Sequence, residues 1–272
     1  YTLQYPSLLF LGKSQFSESP PPAELQIERK IHSLNPLNWI KAGLDIRKRK
    51  PDLVIVTYWL PFMSPSHGMI SRILKKKVPV ISVAHNVIPH EKNPGDKVLT
   101  RFFLKSVDGF IVMSRSVHED LKRLSTKPAF FHPHPLYDHY GPIIPKKEAR
   151  KKMGLDPDMN YLLFFGFIRY YKGLDLLLIA FDISRFKNYP VKLIIAGEYY
   201  ESPQLYQRII DHYNLRDRII FHDHFIPDEN VGDYFNAADL VVQPYRSATQ
   251  SGVSQIAYHF NKPIVVTNEG GL

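Results

Sequence analysis

Cysteine is absent from this 272-residue chain, and that alone excludes disulfides, thiolate nucleophiles and cysteine-based zinc sites. The absence agrees with a reducing compartment. Also missing is any apolar run of the roughly 18 residues that a membrane-spanning helix needs, and no signal-peptide pattern stands at the start. Acidic residues are scarce in the first half. Residues 1–150 carry 12 Asp and Glu against 23 Lys and Arg, whereas residues 151–272 carry 14 against 12, within a net charge of +9. A basic half joined to a near-neutral half suggests that the first meets something anionic, such as nucleic acid, acidic lipid headgroups or a phosphorylated acceptor. A solvated basic surface accounts for the same numbers. No recognised nucleic-acid-binding motif accompanies the charge, so nucleic acid is not expected as a partner.

What is present is ample apolar material: 44% of residues are hydrophobic and 22% charged, in a length that suits two domains. Short β-rich runs alternate with stretches at helical spacing. The strand candidates are Asp52–Thr57, Val78–Ala84, Gly109–Met113, Leu162–Gly166, Val191–Ala196, Arg218–Phe221, Leu240–Gln243 and Ile264–Thr267. Most are continuous apolar runs, as parallel strands covered on both faces require. Between them the spacing predicts helices over Pro36–Lys50, Met69–Lys77, Val98–Val107, Val117–Leu124, Leu174–Phe186, Gln204–Tyr213, Val231–Ala237 and Val253–Phe260. Such alternation specifies a doubly wound α/β architecture. Proline is concentrated around Pro133–Pro157, where the charge balance also changes, and a short charged helix, Lys146–Met153, lies inside that stretch. We therefore expect two Rossmann-like lobes, residues 1–145 and 146–272, with a cleft between them and the interesting loops beyond the carboxyl ends of the strands. Ser17–Pro22 reads as a loop or extended linker.

Two of those loops carry chemistry. After the strand ending at Gly166 comes Phe-Ile-Arg169-Tyr-Tyr-Lys172-Gly173-Leu-Asp-Leu-Leu, with two cations three residues apart at a helix start. Surface cations there would be disfavoured by the helix dipole. An Arg fork and a Lys ammonium could instead hold the negative charge that develops on a departing diphosphate. After Leu240–Gln243 comes Pro244-Tyr-Arg-Ser-Ala-Thr249-Gln250-Ser251-Gly252-Val253, in which small and hydroxyl residues precede a helix. The free amides of such a helix start bind phosphate, although an ordinary Ser or Thr cap explains the same residues. His132-x-His134 and His222-x-His224 have a spacing compatible with metal binding, and Asp156-Pro-Asp158 mimics a metal-binding triplet, but prolines and position argue against both.

Taken together, Gly166-x-x-Arg169-x-x-Lys172-Gly-Leu-Asp-Leu-Leu, Ile194-Ile-Ala-Gly197, Ala237-Ala-Asp239-Leu-Val-Val-x-Pro244 and Lys262-Pro263-Ile-Val-Val-x-x-x-x-Gly270-Gly271 resemble the donor-binding lobe of the family-four (group 1) glycosyltransferases. The match runs over residues 155–272. A looser one in the first half rests on Lys50-Pro-Asp52-Leu-Val-Ile-Val, Val78-Pro-Val-Ile-Ser-Val-Ala-His85-Asn86 and Asp108-Gly-Phe-Ile-Val-Met-Ser114. The resemblance implies the GT-B fold and transfer of a sugar from a nucleotide-diphosphate donor to a glycan or lipid-linked acceptor. Retention and a role in cell-envelope or exopolysaccharide biosynthesis follow from the same resemblance. It assigns leaving-group stabilisation to Arg169 and Lys172, and donor binding to Gly166, Gly197, Thr249, Gln250, Ser251, Gly252 and Val253. His85 would point toward the donor sugar. It implies no bound metal and no further cofactor, and a cytoplasmic enzyme peripheral to an anionic membrane face. Two usual glutamates are replaced by Ala248 and Ile256, which keeps a catalytically weak scaffold, or an epimerase or phosphorylase of the same fold, as the alternative. Against the family pattern, a first strand with its Gly-rich loop and the final helices are expected to be missing.

Overall fold

A computed structural model describes residues 1–6, 24–89, 93–182 and 189–272. Ser17–Pro22 and the end of the helix pattern expected to reach Phe186 lie outside these residues. The chain forms two compact units, Tyr1–Pro133 and His134–Leu272. Residues 134–145, grouped with the first lobe on sequence, fold with the second: Asn236 accepts the Ile144 amide through Oδ1 and donates to the Pro142 carbonyl, both at 3.1 Å.

The first unit holds a parallel sheet in the order β1 (Val54–Tyr58), β2 (Val80–Ala84), β3 (Gly109–Val112) and β4 (Ala129–Phe131). Helices α1 (Pro36–Lys48), α2 (Ser64–Leu74), α3 (Asp96–Leu104) and α4 (Arg115–Leu124) accompany it. Their limits follow from local chemistry. Pro36 opens α1 where no amide is needed, and the Asn35 side chain accepts the Asn38 amide. Ser114 caps α4 through the Val117 amide. The core contains Tyr58 stacked on Phe103 at 4.2 Å, with Leu74, Val80, Val112 and Leu121 fully buried.

In the second unit, α5 (Lys146–Lys152), β5 (Asn160–Phe165), α6 (Leu174–Phe181), β6 (Val191–Ala196), α7 (Gln204–His212), β7 (Ile219–His222), α8 (Asp228–Ala237), β8 (Leu240–Gln243), α9 (Gly252–His259) and β9 (Ile264–Val266) follow in order. All pairings are parallel, in the order β7-β6-β5-β8-β9. Successive strand residues enter opposite layers: Leu163 and Ile194 pack with Phe235, Ala257 and Phe260, whereas Phe164 and Ile195 pack with Leu174, Leu178 and Tyr206. This is the period of two in a sheet covered on both faces. The chain runs outward from β5 through β6 to β7, then returns to the other side of β5 as β8. That reversal puts a topological switch point between β5 and β8, where open α/β sheets bind ligands.

Candidate functional site

The loops after β5 and β8 flank that switch point. Past Phe165 the backbone turns at Gly166 and extends through Arg169. It then makes a 3-10 turn over Tyr170–Lys172 and enters α6 through Gly173. Gly173 has φ +67°, and a Cβ there would lie 2.0 Å from the Pro244 carbonyl oxygen, so only glycine lets the two loops touch. Gly197, at the end of β6, faces a similar constraint: a Cβ would meet the Gly166 oxygen at 2.2 Å. The position of a Cβ on Gly166 would be 3.0 Å from Lys172 Nζ and 3.7 Å from Val253 Cγ2. Gly166, Lys172, Gly197 and Val253, chosen on sequence, thus come together.

Lys172 is a buried side chain, not a surface cation. Burial, with the neighbouring Arg169 charge adding to it, pushes its ammonium down to about 8. No carboxylate among the described residues offsets it. Its Nζ lies 5.7 Å from the Tyr245 ring centroid, and the half-buried Arg169 lies over Tyr200 at 5.1 Å. A buried cation beside a second cation is an arrangement that an anion would relieve.

The start of α9 completes the cluster. Ser251 precedes the helix in an extended conformation, yet its side chain makes no capping bond; its hydroxyl bonds the buried Tyr245 instead. Capping by the Ser251 side chain therefore does not explain the small residues there; the first turn of a helix offers amides that no intrahelical carbonyl meets. Thr249 and Gln250 are half-buried on the same turn. Gly252 is hemmed in by Tyr137, whose Cε2 would be 2.8 Å from a Cβ.

His85 follows β2 in the first unit, half-buried, with its amide donating to Tyr58 O at 2.9 Å. Ala248 and Ile256, where the family pattern has glutamates, are buried, and Ile256 packs with Ala257 and Phe260 in the core. His222 Nδ1 and the Tyr234 hydroxyl share a hydrogen bond of 2.6 Å, and among the described residues no group of three His, Asp or Glu side chains could hold a metal. Sequence reasoning passed over several residues that shape the site: Tyr137, Tyr245, Arg246 with Asp175, and Glu201, which accepts the Tyr170 amide at 2.8 Å and the Tyr206 hydroxyl. Asp175 was visible within the quoted motif. For the others the contact that reaches the site is distant in sequence: Glu201 meets the Tyr170 amide 31 residues earlier, Arg246 meets Asp175 71 residues earlier, and Tyr137 meets Gly252.

Comparison with known proteins bears on both units. Residues 145–272 match the family described as glycosyl transferases group 1, and residues 14–132 match glycosyltransferase family 4. An uncharacterized glycosyltransferase, YqgM, of Bacillus subtilis is 25% identical over 72% of this chain and 50% of its own length. The D-inositol 3-phosphate glycosyltransferase of Segniliparus rotundus is 30% identical over 47% of this chain and 29% of its own. The chain thus spans half or less of these relatives. Among solved structures, Anabaena Alr3699/HepE in complex with UDP and glucose superposes with a TM-score of 0.72 at 16% identity, over 86% of this chain and 64% of that one.

Proposed function

The chain belongs to the family-four glycosyltransferases of group 1 and has their GT-B fold; on that premise we propose that it transfers a sugar from a nucleoside-diphosphate donor to a hydroxyl of a glycan or lipid-linked acceptor, with retention, in making cell-envelope or exopolysaccharide material. The observation that carries this reading is the buried Lys172, offset by no carboxylate among the described residues, beside Arg169 and a start of α9 that the Ser251 side chain does not cap. Such a cluster suits a diphosphate better as its charge grows. In the proposed reaction the bond from the anomeric carbon to the β-phosphate oxygen breaks. The acceptor oxygen bonds the same carbon on the same face and yields its proton to the departing phosphate. Arg169 and Lys172 hold the leaving group, the amides and hydroxyls of Thr249–Gly252 hold its oxygens, and His85 orients the donor sugar. Charge supplied by these groups makes a bound metal unnecessary in this scheme. The basic first unit would bring the enzyme to an anionic membrane face.

Thermal melting with UDP, GDP, ADP and their sugars tests the donor class. At least one should raise the melting temperature through preferential binding to the folded state; no rise with any of them would overturn the reading. A second reading, a catalytically weak scaffold or an epimerase or phosphorylase of the same fold, draws support from Ala248 and Ile256, buried where carboxylates would be expected. Donor binding without transfer or hydrolysis would favour the scaffold. Interconversion of free donor would favour the epimerase, and phosphorolysis the phosphorylase.

A further inference from the structure

Arg246 has no role assigned from sequence within the Pro244–Val253 segment, yet it joins the two loops of the site at five points. Its amide donates to Tyr171 O at 2.7 Å. Its guanidinium donates through Nη1 to Tyr170 O at 3.0 Å, lies 4.2 Å from the Tyr170 ring centroid, and grips Asp175 with both arms at 2.6 Å. Asp175 is buried in the first turn of α6. The turn held in this way, Tyr170–Lys172, is three residues long, and such a short 3-10 segment is marginal by itself. Its first flank is Arg169 and its last residue Lys172, so the turn decides where both cations stand. Arg246 itself lies five residues before Ser251, on the loop that leads into α9.

We propose that Arg246 is a positioning residue for the diphosphate site: with Asp175 it fixes the cation turn against the loop leading to α9, so that Arg169 and Lys172 face the same anion as the α9 amides. The guanidinium fork is essential to this, because one planar group reaches two carboxylate oxygens and a carbonyl together, which an ammonium cannot reproduce. Asp175 also answers the Arg246 charge locally, so Arg246 does not act as a third cation on the ligand.

This inference rests on the nucleotide-sugar reading, and its test keeps the two apart. Titration calorimetry of the full chain with UDP, GDP and ADP comes first; failure of all three to bind would remove both proposals. With the nucleotide that binds, Arg246→Lys and Asp175→Asn should each weaken affinity by about tenfold or more. Transfer should fall further than affinity, lowering kcat as well as raising KM, because a displaced turn misplaces leaving-group charge. The double variant should be no worse than the poorer single one, since both break the same link. Arg150→Lys is the control: Arg150 pairs with Asp239 near the Tyr161 amide, at the amino end of the sheet, and should lower the melting temperature without changing nucleotide affinity. If Arg246→Lys and Asp175→Asn behave like the control, or bind nucleotide as wild type does, the positioning role is wrong.

Discussion

Each unit buries a basic side chain that no carboxylate among the described residues offsets, and burial pushes both down by a similar amount, with different results at neutral pH. In the second unit Lys172 sits beside another cation with no carboxylate among the described residues to offset it; its ammonium is lowered to about 8 and stays mostly charged at neutral pH. In the first unit His67, on α2, is buried among Trp59, Phe103 and the Tyr1 hydroxyl, and desolvation holds it down to about 4, so it stays neutral. Because lysine starts at 10.5 and histidine at 6.5, the same kind of burial leaves Lys172 charged and His67 neutral. Stored positive charge points to an anionic ligand, whereas a neutral buried imidazole points to packing.

The largest test of that contrast removes the charge. Arg169→Ala or Lys172→Ala should each cost about 3 kcal/mol or more in transition-state stabilisation, as loss of an oxyanion donor does, read as kcat/KM for transfer by correctly folded protein. Turnover within a few-fold of wild type in both would end the assignment. Nucleotide affinity should also fall as pH rises through about 8, where free Lys172 loses its proton. A Lys172→Ala chain should lack that inflection.

For His67 the readout is folding stability, and it is lost at low pH. Its folded value, about 4, lies below the ordinary 6.5 of an unfolded histidine. The stabilisation is therefore complete above 6.5 and is lost as pH falls toward 4. The shift corresponds to about 3 kcal/mol at most. Urea melts between pH 7 and 4 should show this slope, and His67→Phe should flatten it. An equal slope in the variant would mean that His67 is not the group responsible.

The difference between the units also governs what the sequence revealed. Strands buried on both faces appear as apolar runs, so β6 and β8 match their sequence ranges end for end. β4 went unseen because it is a three-residue strand following Pro128, too short for any period. The true start of α2 was hidden by Pro65 and Gly68, residues that usually read as breakers. Pro65 falls in the first turn, where no amide is owed. Gly68 is needed there because a Cβ would meet the Phe102 ring at 2.5 Å. The cation turn was legible because its residues are consecutive. Arg246 was not, since its meaning lies in Asp175, 71 residues earlier.

Gly252 tests whether the start of α9 is shaped by its ligand or by packing. The neighbour in the structure is the Tyr137 ring, so Gly252→Leu must first displace that ring, an overpacking cost of about 1–3 kcal/mol. Chemical melts should show that loss, together with reduced nucleotide affinity. Pairing the change with Tyr137→Ala should restore stability but not affinity if the ligand also needs the space. Recovery of both would mark the turn as packing alone.

The smallest effect per residue concerns the basic surface, where the charge asymmetry between the halves began. Arg49 is tied to Glu28 and Asp45, so part of the positive charge is already answered. Arg47, Lys48 and Lys50 stand exposed at the end of α1, and Lys75, Lys76 and Lys77 just past α2. Arg47 and Lys48 also suit the helix dipole, which accounts for some of their placement. Each exposed cation near an anionic leaflet adds about 1 kcal/mol of attraction, screened within a Debye length. Co-sedimentation with phosphatidylserine-containing vesicles should therefore be strong at low salt and fall steeply at high salt, with little binding to neutral vesicles. Replacing Lys75, Lys76 and Lys77 together by Gln should weaken it without altering nucleotide affinity, because no residue of the diphosphate cluster lies in that unit. Equal sedimentation with neutral and anionic vesicles, or none with either, would return the charge to an ordinary solvated surface.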